Sequence, residues 1–347
     1  MNVPADSPST SAELVELAAA LAGDEEAFRR LTEGYMRELH VHCYRMLGSI
    51  HDAEDALQDT LLRAWRHLAG FQGRSSFRAW LYRIATNVCL KRAARPRVEQ
   101  AEASAPPAHA EVTGSEHVLH LSPYPDALLD ELEATYGNPA ARCDLRESIQ
   151  LAFLAAVQLL PPRQRATLIL RDVLSFSADE VAELLDSTTA GVNSALQRAR
   201  ATIDRQRIDG RIPPERTVPP DEVERSLVRR FVEAWEAVDI DRLVGLLRND
   251  AILTMPPFPL RYEGRRAIAE FFATVPADGA LDRIRLIPTR ANRQPAVAAY
   301  VLDSDGRKHH AYGLMVLTVD GEEIAEITGF ADPTLFPLFG LPPELEA

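Results

Sequence analysis

Two proline-containing interruptions, at residues 98–142 and 208–220, divide this 347-residue chain into three stretches with different hydrophobic periodicities. The first interruption is also acidic, and the second carries the pairs Pro213-Pro214 and Pro219-Pro220. Segments of this composition bury too little apolar surface to fold alone, so we interpret both as linkers, the first partly disordered. The sequence therefore predicts three domains, at 12–97, 143–207 and 221–335.

The first two domains are predicted to be entirely helical. In the first domain, apolar residues such as Phe28, Leu31 and Tyr35 recur at the spacing of one helix face. In the second domain, Ser177-Ala178-Asp179-Glu180 has the form of a capping box, and Ser187-Thr188 turns the chain into a following helix. We therefore expect a helical bundle and then a helix-turn-helix with helices at 178–185 and 189–200.

The third domain changes to a mixed pattern. A helix carries Leu227, Phe231 and Trp235 on one face. Strand-like runs follow. They are 251–255, 283–290, 296–302, 311–319 and 323–330. Helices followed by a curled antiparallel sheet predict an α+β domain.

Charge placement in the first domain suggests contact with nucleic acid. Arg74 to Arg97 contains seven basic residues and no acidic one, with Phe77, Trp80 and Tyr82 interleaved. Arginine neutralises phosphates, and aromatic faces stack on unpaired bases. A solvated helix face above an aromatic core would give the same pattern, so this segment alone leaves both readings open. The net charge of −13 argues against a protein that coats DNA along its length.

The helix-turn-helix gives a second indication of DNA binding. In such a unit the second helix enters the major groove, where Asn and Gln side chains pair with adenine. Polar residues of the required types occupy this helix and the turn before it, although a plain helical hairpin would look similar. They are Ser187, Thr188, Thr189, Asn193, Ser194, Gln197, Arg198 and Arg200.

Together these segments resemble the extracytoplasmic-function group of sigma-70 factors. Asp52–Trp65 is similar to region 2.2, Phe77–Asn87 to regions 2.3–2.4, and Leu159–Arg165 with Asn193–Arg200 to region 4. The resemblance covers roughly 12–97 and 143–207. It implies that the chain binds core RNA polymerase through the β′ clamp helices and the β flap, and binds promoter DNA at the −10 and −35 elements.

The resemblance assigns roles to individual positions. Those expected to contact core polymerase are Asp52, Glu54, Asp55, Gln58 and Asp59. Those expected to contact −10 DNA are Phe71, Arg74, Phe77, Arg78, Trp80, Arg83, Asn87 and Arg92. The polar residues of the helix-turn-helix are expected to read −35. Gly191 stands inside the second helix of this unit, where glycine lowers helix stability by about 1 kcal/mol relative to alanine. We interpret this residue as sequence drift rather than as a position where the helix approaches the DNA backbone closely.

The third domain resembles the SnoaL-like branch of the NTF2-like cone, on the motifs Leu227–Trp235, Ala251–Pro257 and Tyr262–Ile268. The resemblance implies an apolar pocket for an unknown small ligand and a tail that tunes sigma activity in cis. Residues expected to line the pocket or the core are Trp235, Met255, Phe258, Phe271, Phe272, Tyr300, Tyr312 and Phe330. Possible acid–base groups are Asp241, His309, His310 and Asp332, but we expect no catalysis.

The first linker contains a candidate regulatory anchor. Pro123, Tyr124, Pro125 and Asp126 offer an aromatic residue that the tail could hold, coupling the tail to the sigma domains. Whether such coupling activates or inhibits does not follow from the sequence.

Two other functions compete with the sigma-factor reading. One is a SnoaL-like isomerase or cyclase fused to a DNA-binding module, and the other is a repressor that uses only the helix-turn-helix. Neither would need the segment 52–97. The sequence predicts no cofactor and no metal site, and it lacks both a secretory signal and an apolar run that could span a bilayer, so a cytoplasmic protein is expected.

Overall fold

The computed structural model describes residues 11–94, 121–135, 142, 145–208 and 221–347. Internal contacts divide the chain into two compact units. The helical unit contains the described residues up to 94 and from 128 to 208, and the tail unit contains 121–127 and 221–347. Beyond residue 208, the predicted second linker lies outside the described residues.

The helical unit begins with a bundle of antiparallel neighbours. Its helices are α1 (Ser11–Leu21), α2 (Glu25–Leu47), α3 (Ile50–His67) and α4 (Phe77–Ala93). Asp24 caps α2 by accepting hydrogen bonds from the backbone of Glu26 and Ala27, and Gly48 ends the helix with φ of 79°. Ser49 then caps α3 at once. These adjacent caps reverse the chain in two residues, so α3 packs against α2.

The rest of the helical unit contains the predicted helix-turn-helix. After α5 (Asp126–Thr135), whose first two residues belong to the tail unit, come α6 (Leu151–Gln158), α7 (Pro162–Leu168) with a π-helical turn at Ile169–Val173, α8 (Ala178–Leu184) and α9 (Thr189–Ile208). The capping box at Ser177 and Glu180 is present at the start of α8, as the sequence predicts. The second helix begins at the expected residue and continues beyond Arg200.

The tail unit is a curved sheet with helices on one side. Its helices are α10 (Asp221–Glu236), α11 (Ile240–Gly245) and α12 (Gly264–Thr274). Its strands are β1 (Leu247–Met255), β2 (Phe258–Glu263), β3 (Ile284–Ala291), β4 (Gln294–Leu302), β5 (Lys308–Asp320), β6 (Glu323–Phe330) and β7 (Glu344–Glu346). The order is β2-β1-β6-β5-β4-β3, and β7 pairs with β5. The pairing is antiparallel except between β1 and β6.

Apolar side chains from α10 and α12 fill the concave face of this sheet. Phe231, Trp235 and Phe272 are almost fully buried, and the Trp235 ring meets Phe272 edge-on at 5.4 Å. Gly313 permits the sheet to curve, because a Cβ at this position would lie 2.3 Å from the carbonyl oxygen of Phe330. The predicted α+β cone is confirmed, as are the helical domains before it.

Three elements differ from the expectations. Strand β2 contains Pro259, which lowers the strand signal of a run at the sheet edge. Strand β7 is short and carries two glutamates, and it extends the tail unit beyond the predicted boundary at 335. In the predicted first linker, α5 forms because Leu129 and Leu132 are buried, while residues 136–141 lie outside the described range. Among the described helices, none combines the length and hydropathy that crossing a lipid bilayer requires.

Candidate polymerase and promoter DNA interfaces

The acidic surface predicted to contact polymerase lies along α3. Ala53, Ala56 and Leu57 are buried against the bundle, which leaves Glu54, Asp55 and Gln58 exposed and Asp52 and Asp59 half-buried. The Gln58 amide donates to Glu54 at 3.2 Å. The bundle thus presents one continuous acidic face, as the helical period of the sequence requires.

Arg92 is held beside this acidic face. Its guanidinium lies 2.8 Å from the Asp59 carboxylate and 3.5 Å from that of Asp55. Partial burial lowers the pKa of Arg92, but the hydrogen bond and charge of Asp59 and the charge of Asp55 together outweigh burial, and the pKa is raised. The structure therefore brings one predicted DNA-binding residue into contact with two predicted polymerase-binding residues.

The aromatic residues of the predicted −10 surface form one cluster with an inner and an outer part. Phe71, Phe77 and Trp80 lie with ring centroids 5.3 to 5.7 Å apart. Phe77 is only 2% exposed and packs edge-on against Tyr35 of α2, so it supports the cluster from the core. Phe71 and Trp80 are half-buried and present ring surface to solvent. The rings of Phe71 and Trp80 can therefore stack on an unpaired base.

Arg78, also predicted to contact DNA, is engaged inside the helical unit. It donates from Nε and Nη2 to the Glu38 carboxylate at 2.9 to 3.1 Å. Its guanidinium lies 4.8 Å from the Tyr82 ring centroid and 5.3 Å from that of Phe176. Sequence reasoning missed Glu38 because the pair is separated by 40 residues along the chain.

An open groove of about 270 Å³ runs between α3 and α4. Its lining consists of Arg63, His67, Trp80, Arg83, Ile84 and Asn87. Three of these, Trp80, Arg83 and Asn87, belong to the predicted −10 set. The two from α3, Arg63 and His67, were not predicted, although their spacing of four residues places them on one helix face.

The helix-turn-helix exposes the predicted reading surface. Ser187, Thr188, Asn193, Ser194 and Gln197 are exposed, whereas Val192, Leu196 and Ala199 are buried on the opposite side of α9. Thr189 donates to Asp179 at 2.7 Å, and Arg200 is paired with Asp172 at 2.8 Å. Thr189, Arg198 and Arg200 are exposed as well.

Gly191 lies close to two hydroxyls of the turn before α9. A Cβ at residue 191 would lie 2.8 Å from the Ser187 hydroxyl and 3.2 Å from that of Thr188. The Gly191 backbone N–H donates to the Thr188 hydroxyl at 3.1 Å. Both hydroxyls belong to exposed side chains that can rotate, so this geometry does not decide between the readings, and drift at Gly191 stays a prediction.

Within the helical unit, α4 faces the helix-turn-helix. Arg83 pairs with Asp186, the turn residue with φ of 48°, at 2.5 Å. The ring of Phe176, which is 1% exposed, meets the Tyr82 ring at 5.4 Å. The predicted −10 and −35 surfaces therefore share an internal contact.

Arg165 holds the same two regions together from the other end. It is 7% exposed and donates to the backbone oxygens of Val157 at 2.9 Å and Gln158 at 2.8 Å. It also reaches the Met46 oxygen at the end of α2, at 2.6 Å. Nearby, Arg45 donates to the Ser148 hydroxyl at 2.7 Å. This contact is built largely from side-chain to backbone hydrogen bonds.

In the tail unit, the predicted linker anchor is bound at the β3–β4 turn. The Tyr124 N–H donates to the Asn292 side chain at 2.8 Å, and the Asn292 N–H donates back to the Tyr124 oxygen at 2.9 Å. Pro125 bridges to Ala291 in antiparallel fashion. Tyr124 and Asn292 are both fully buried.

Asp126 completes this anchor electrostatically. Its carboxylate accepts from the Arg293 backbone at 2.8 Å and from Arg290 at 3.2 Å, and Arg290 also pairs with Glu224 of α10. Burial raises the pKa of Asp126, although the two arginines oppose the shift. The segment Tyr124–Asp126 is thus part of the folded tail unit.

A small cavity of about 60 Å³ lies under the curved sheet of the tail. Six of the eight predicted residues line it, namely Trp235, Met255, Phe271, Phe272, Tyr312 and Phe330. Tyr300 instead packs on Phe336, and Phe258 lies on the edge strand β2. None of Asp241, His309, His310 and Asp332 belongs to its lining.

Comparisons with known proteins agree with this architecture. Models described as Sigma-70 region 2, Sigma-70 region 4 and SnoaL-like domain match residues 31–97, 150–203 and 228–327. The ECF RNA polymerase sigma factor SigG of Mycobacterium tuberculosis is 43% identical over 324 residues, which cover 92% of this chain and 85% of that protein. SigW of Bacillus subtilis is 29% identical over 185 residues, covering 53% of this chain and 90% of SigW.

The fold also matches a solved structure. The extracytoplasmic function sigma factor SigJ of Mycobacterium tuberculosis superposes with a TM-score of 0.58, at 21% identity, over 92% of this chain and all of that one. With a relative at 43% identity along most of its length, the chain belongs to the ECF RNA polymerase sigma factors and carries a SnoaL-like domain as its tail.

Proposed function

We propose that this protein binds core RNA polymerase, recognises the −10 and −35 promoter elements and initiates transcription. The observation that carries the proposal is the combination, in one helical unit, of an acidic exposed face on α3, a carboxylate-free α4 and an exposed polar face on α9. A repressor would need only the last of these. Support comes from the family membership, since the relatives are named as RNA polymerase sigma factors.

Run-off transcription with purified core polymerase tests this proposal. The protein should direct specific transcripts from promoters in a genomic pool that core alone does not start. Free protein should bind duplex DNA weakly, because its net charge is −13 and its basic surface is local. A lack of specific transcripts with core that responds to another sigma factor would contradict the proposal.

The finer proposal divides the work among three surfaces. Glu54, Asp55 and Gln58 dock on the β′ clamp helices, and the helix-turn-helix region contacts the β flap. Replacing Asp55 and Gln58 by alanine should weaken core binding, measured by fluorescence anisotropy. Replacing Glu33, an exposed acid on α2, by glutamine is the matched control and should have no effect. Equal losses for both variants would refute a localised docking face.

For −35 recognition, Asn193 and Gln197 are the residues able to form bidentate contacts with adenine. Alanine at either position should change promoter preference by about 1–3 kcal/mol for each lost contact and leave core binding intact. Selection of bound sequences from a randomised −35 library measures this effect. An unchanged selected sequence would remove these two residues from the reading surface.

We also propose that the tail tunes the sigma module in cis through Tyr124–Asp126. The segment belongs to the predicted linker between the sigma regions, yet its backbone pairs with the β3–β4 turn of the tail. The tail cavity is apolar and lacks a carboxylate or histidine among its lining residues, which favours a ligand-binding or structural role over isomerase chemistry. A change in the tail should therefore alter the activity of the sigma module through this linker anchor.

Asn292→Gly tests this coupling with little disturbance. Asn292 has φ of 57°, which glycine adopts freely, so the variant removes the side-chain bond to Tyr124 while the turn persists. Asn292→Gly and Tyr124→Ala should shift run-off activity in the same direction, with or without cell extract. Activity equal to wild type in both variants, with the tail still resistant to limited proteolysis, would show that the tail is a passenger.

A further inference from the structure

Three consecutive hydroxyl residues, Ser187, Thr188 and Thr189, stand in the turn before α9 and at its first position. All three are exposed on the predicted −35 reading surface. Serine and threonine are usually weak discriminators in the major groove, because a hydroxyl can donate or accept and therefore suits any base. Such a hydroxyl carries sequence information only where the protein fixes the direction of its hydrogen bond.

The direction is fixed at Thr189. Its hydroxyl donates to the carboxylate of Asp179, on the preceding helix α8, over 2.7 Å. A carboxylate only accepts hydrogen bonds, and a threonine hydroxyl has a single proton, so Asp179 uses that proton. The lone pairs of the Thr189 oxygen can still accept a hydrogen bond from DNA. With Asp179 beside it, Thr189 is therefore an acceptor and not a donor.

Thr188 differs from Thr189 in this respect. The Thr188 hydroxyl oxygen accepts from the Gly191 N–H at 3.1 Å, as a side chain that caps a helix does. A backbone N–H only donates, so this bond does not use the Thr188 proton. Two neighbouring threonines thus have different hydrogen-bonding capacities, and the difference comes from their partners in the protein rather than from their own chemistry.

Asp179 is not part of the capping box of α8. Glu180 forms that box with Ser177, whereas the Asp179 side chain is exposed and reaches Thr189. Negative charge in the first turn of a helix also favours the helix dipole, whatever lies nearby. The two effects of Asp179 can be separated by experiment, because only the contact with Thr189 bears on the choice of a base.

We propose that Asp179 is a specificity-determining residue for −35 recognition, which acts through Thr189 as a positioning residue. By using the Thr189 proton, Asp179 makes residue 189 select a base with an exocyclic amino group. Adenine and cytosine carry such a group in the major groove, whereas guanine and thymine present a keto oxygen there. The inference rests on the proposed recognition of −35 DNA by α9.

The test uses reconstituted holoenzyme and a duplex promoter library randomised over the −35 element, with sequencing of the bound DNA. Thr189→Val keeps the shape of the side chain and removes the hydroxyl, so the base pair at which it abolishes a preference is the one that residue 189 faces. In the wild type, adenine or cytosine should be favoured there over guanine or thymine by about fivefold, in line with one hydrogen bond. Thr189→Ser keeps the hydroxyl and should keep the preference.

Asp179→Ala should change the preference at that same base pair. The variant frees the Thr189 proton, so guanine and thymine should rise by about fivefold relative to adenine and cytosine, and become as frequent. Glu183→Gln is the matched control, because Glu183 is another exposed acid on α8 and its loss removes the same charge. It should leave the selected sequence unchanged. A merely structural role of Asp179 would weaken binding to all sequences alike.

The outcomes distinguish this inference from the proposed function. If Asn193→Ala changes the selected −35 sequence but Thr189→Val changes no base pair, the inference fails and −35 recognition by α9 stands. The inference also fails if the wild type favours guanine or thymine at the pair that Thr189→Val identifies, or if Asp179→Ala leaves the preference there intact. If none of these variants of α9 changes the selected sequence, the proposed −35 recognition fails as well.

Discussion

The helical unit and the tail unit differ in the polarity of their buried contacts. Where the first four helices meet the helix-turn-helix region, buried polar contacts from Arg165 to carbonyl oxygens and from Arg45 to Ser148 accompany the aromatic contact of Phe176 with Tyr82. The tail is held by Phe231, Trp235 and Phe272, which pack as a continuous apolar cluster with other buried residues. Polar surfaces can exchange their partners for water when they part, whereas separated apolar surfaces cannot.

This difference indicates which part of the molecule is built to rearrange. The ion pair between Arg83 and Asp186 and the Phe176 contact occupy α4 in the free protein. A sigma factor that reads two promoter elements has to present both surfaces to DNA. We infer that the helical unit opens at the contact between α4 and the helix-turn-helix.

The strongest test of the apolar core of the tail is Phe231→Ala. Phe231 is fully buried, so its loss should reduce the free energy of unfolding of the tail by about 3–5 kcal/mol. Urea unfolding followed by Trp235 fluorescence, in a protein with Trp65 and Trp80 replaced by phenylalanine, measures this. Arg230→Ala, on the exposed side of α10, should change stability by less than about 0.5 kcal/mol. A small effect of Phe231→Ala would mean that the apolar core is less continuous than described.

Arg165→Met tests the polar contact directly. Methionine keeps most of the volume but leaves the carbonyl oxygens of Met46 and Val157 without this donor. The helical unit should lose about 2–3 kcal/mol, measured by urea unfolding followed by far-ultraviolet circular dichroism. Arg163→Met, at an exposed site on the same helix, is the control and should be near neutral. Equal stability of both variants would argue against Arg165 as the central tie.

A pH titration separates the two units further. Burial lowers the pKa of His42 to about 3 and that of His40 to about 4, both in α2, whereas the unfolded chain binds these protons near 6.5. Stability of the helical unit should therefore be fully present above about pH 6.5 and decline as the pH falls towards 4, by up to about 1.4 kcal/mol per pH unit for each of the two histidines. His42→Gln should flatten the profile, and the exposed His51→Gln should not. A flat wild-type profile would contradict this assignment.

The smallest expected effect on stability concerns the Arg83–Asp186 pair. The Arg83 side chain is 46% exposed and the Asp186 side chain 67%, so Asp186→Asn should cost less than about 1 kcal/mol. The Asp186→Asn variant is informative mainly about conformation, because it removes a charge contact between α4 and the turn of the helix-turn-helix. Förster transfer between dyes on α4 and α9 should report a greater separation in free protein. An equal dye-to-dye distance in the variant and the wild type would mean that other contacts hold α4 against the helix-turn-helix.

Local patterns predicted most of the fold, since caps and apolar periodicity act over a few residues. The capping box at Ser177 and the periodicity around Phe231 both appear as expected. Strand β2 escaped prediction because Pro259 weakens its pattern, and β7 because three residues give no period. The missing elements are edge strands, which depend on a neighbouring strand rather than on their own sequence.

The candidate sites were less predictable, because side-chain partners are set by tertiary structure. Phe77 and Trp80 look equivalent in the sequence, yet only Trp80 lines the groove while Phe77 lies in the core. Arg78 meets Glu38 from a distant helix. Sequence position gave the correct helix for each residue, but packing decides which side chains reach solvent.

Trp235 gives the tail a built-in optical reporter. Its indole N–H donates to the Ile284 oxygen at 3.2 Å, its ring is 1% exposed, and it forms part of the cavity wall. Indole emission depends on the polarity around the ring, so occupancy of the cavity would change its wavelength without any label. With Trp65 and Trp80 replaced by phenylalanine, a single emission band would screen small apolar compounds for entry into the tail.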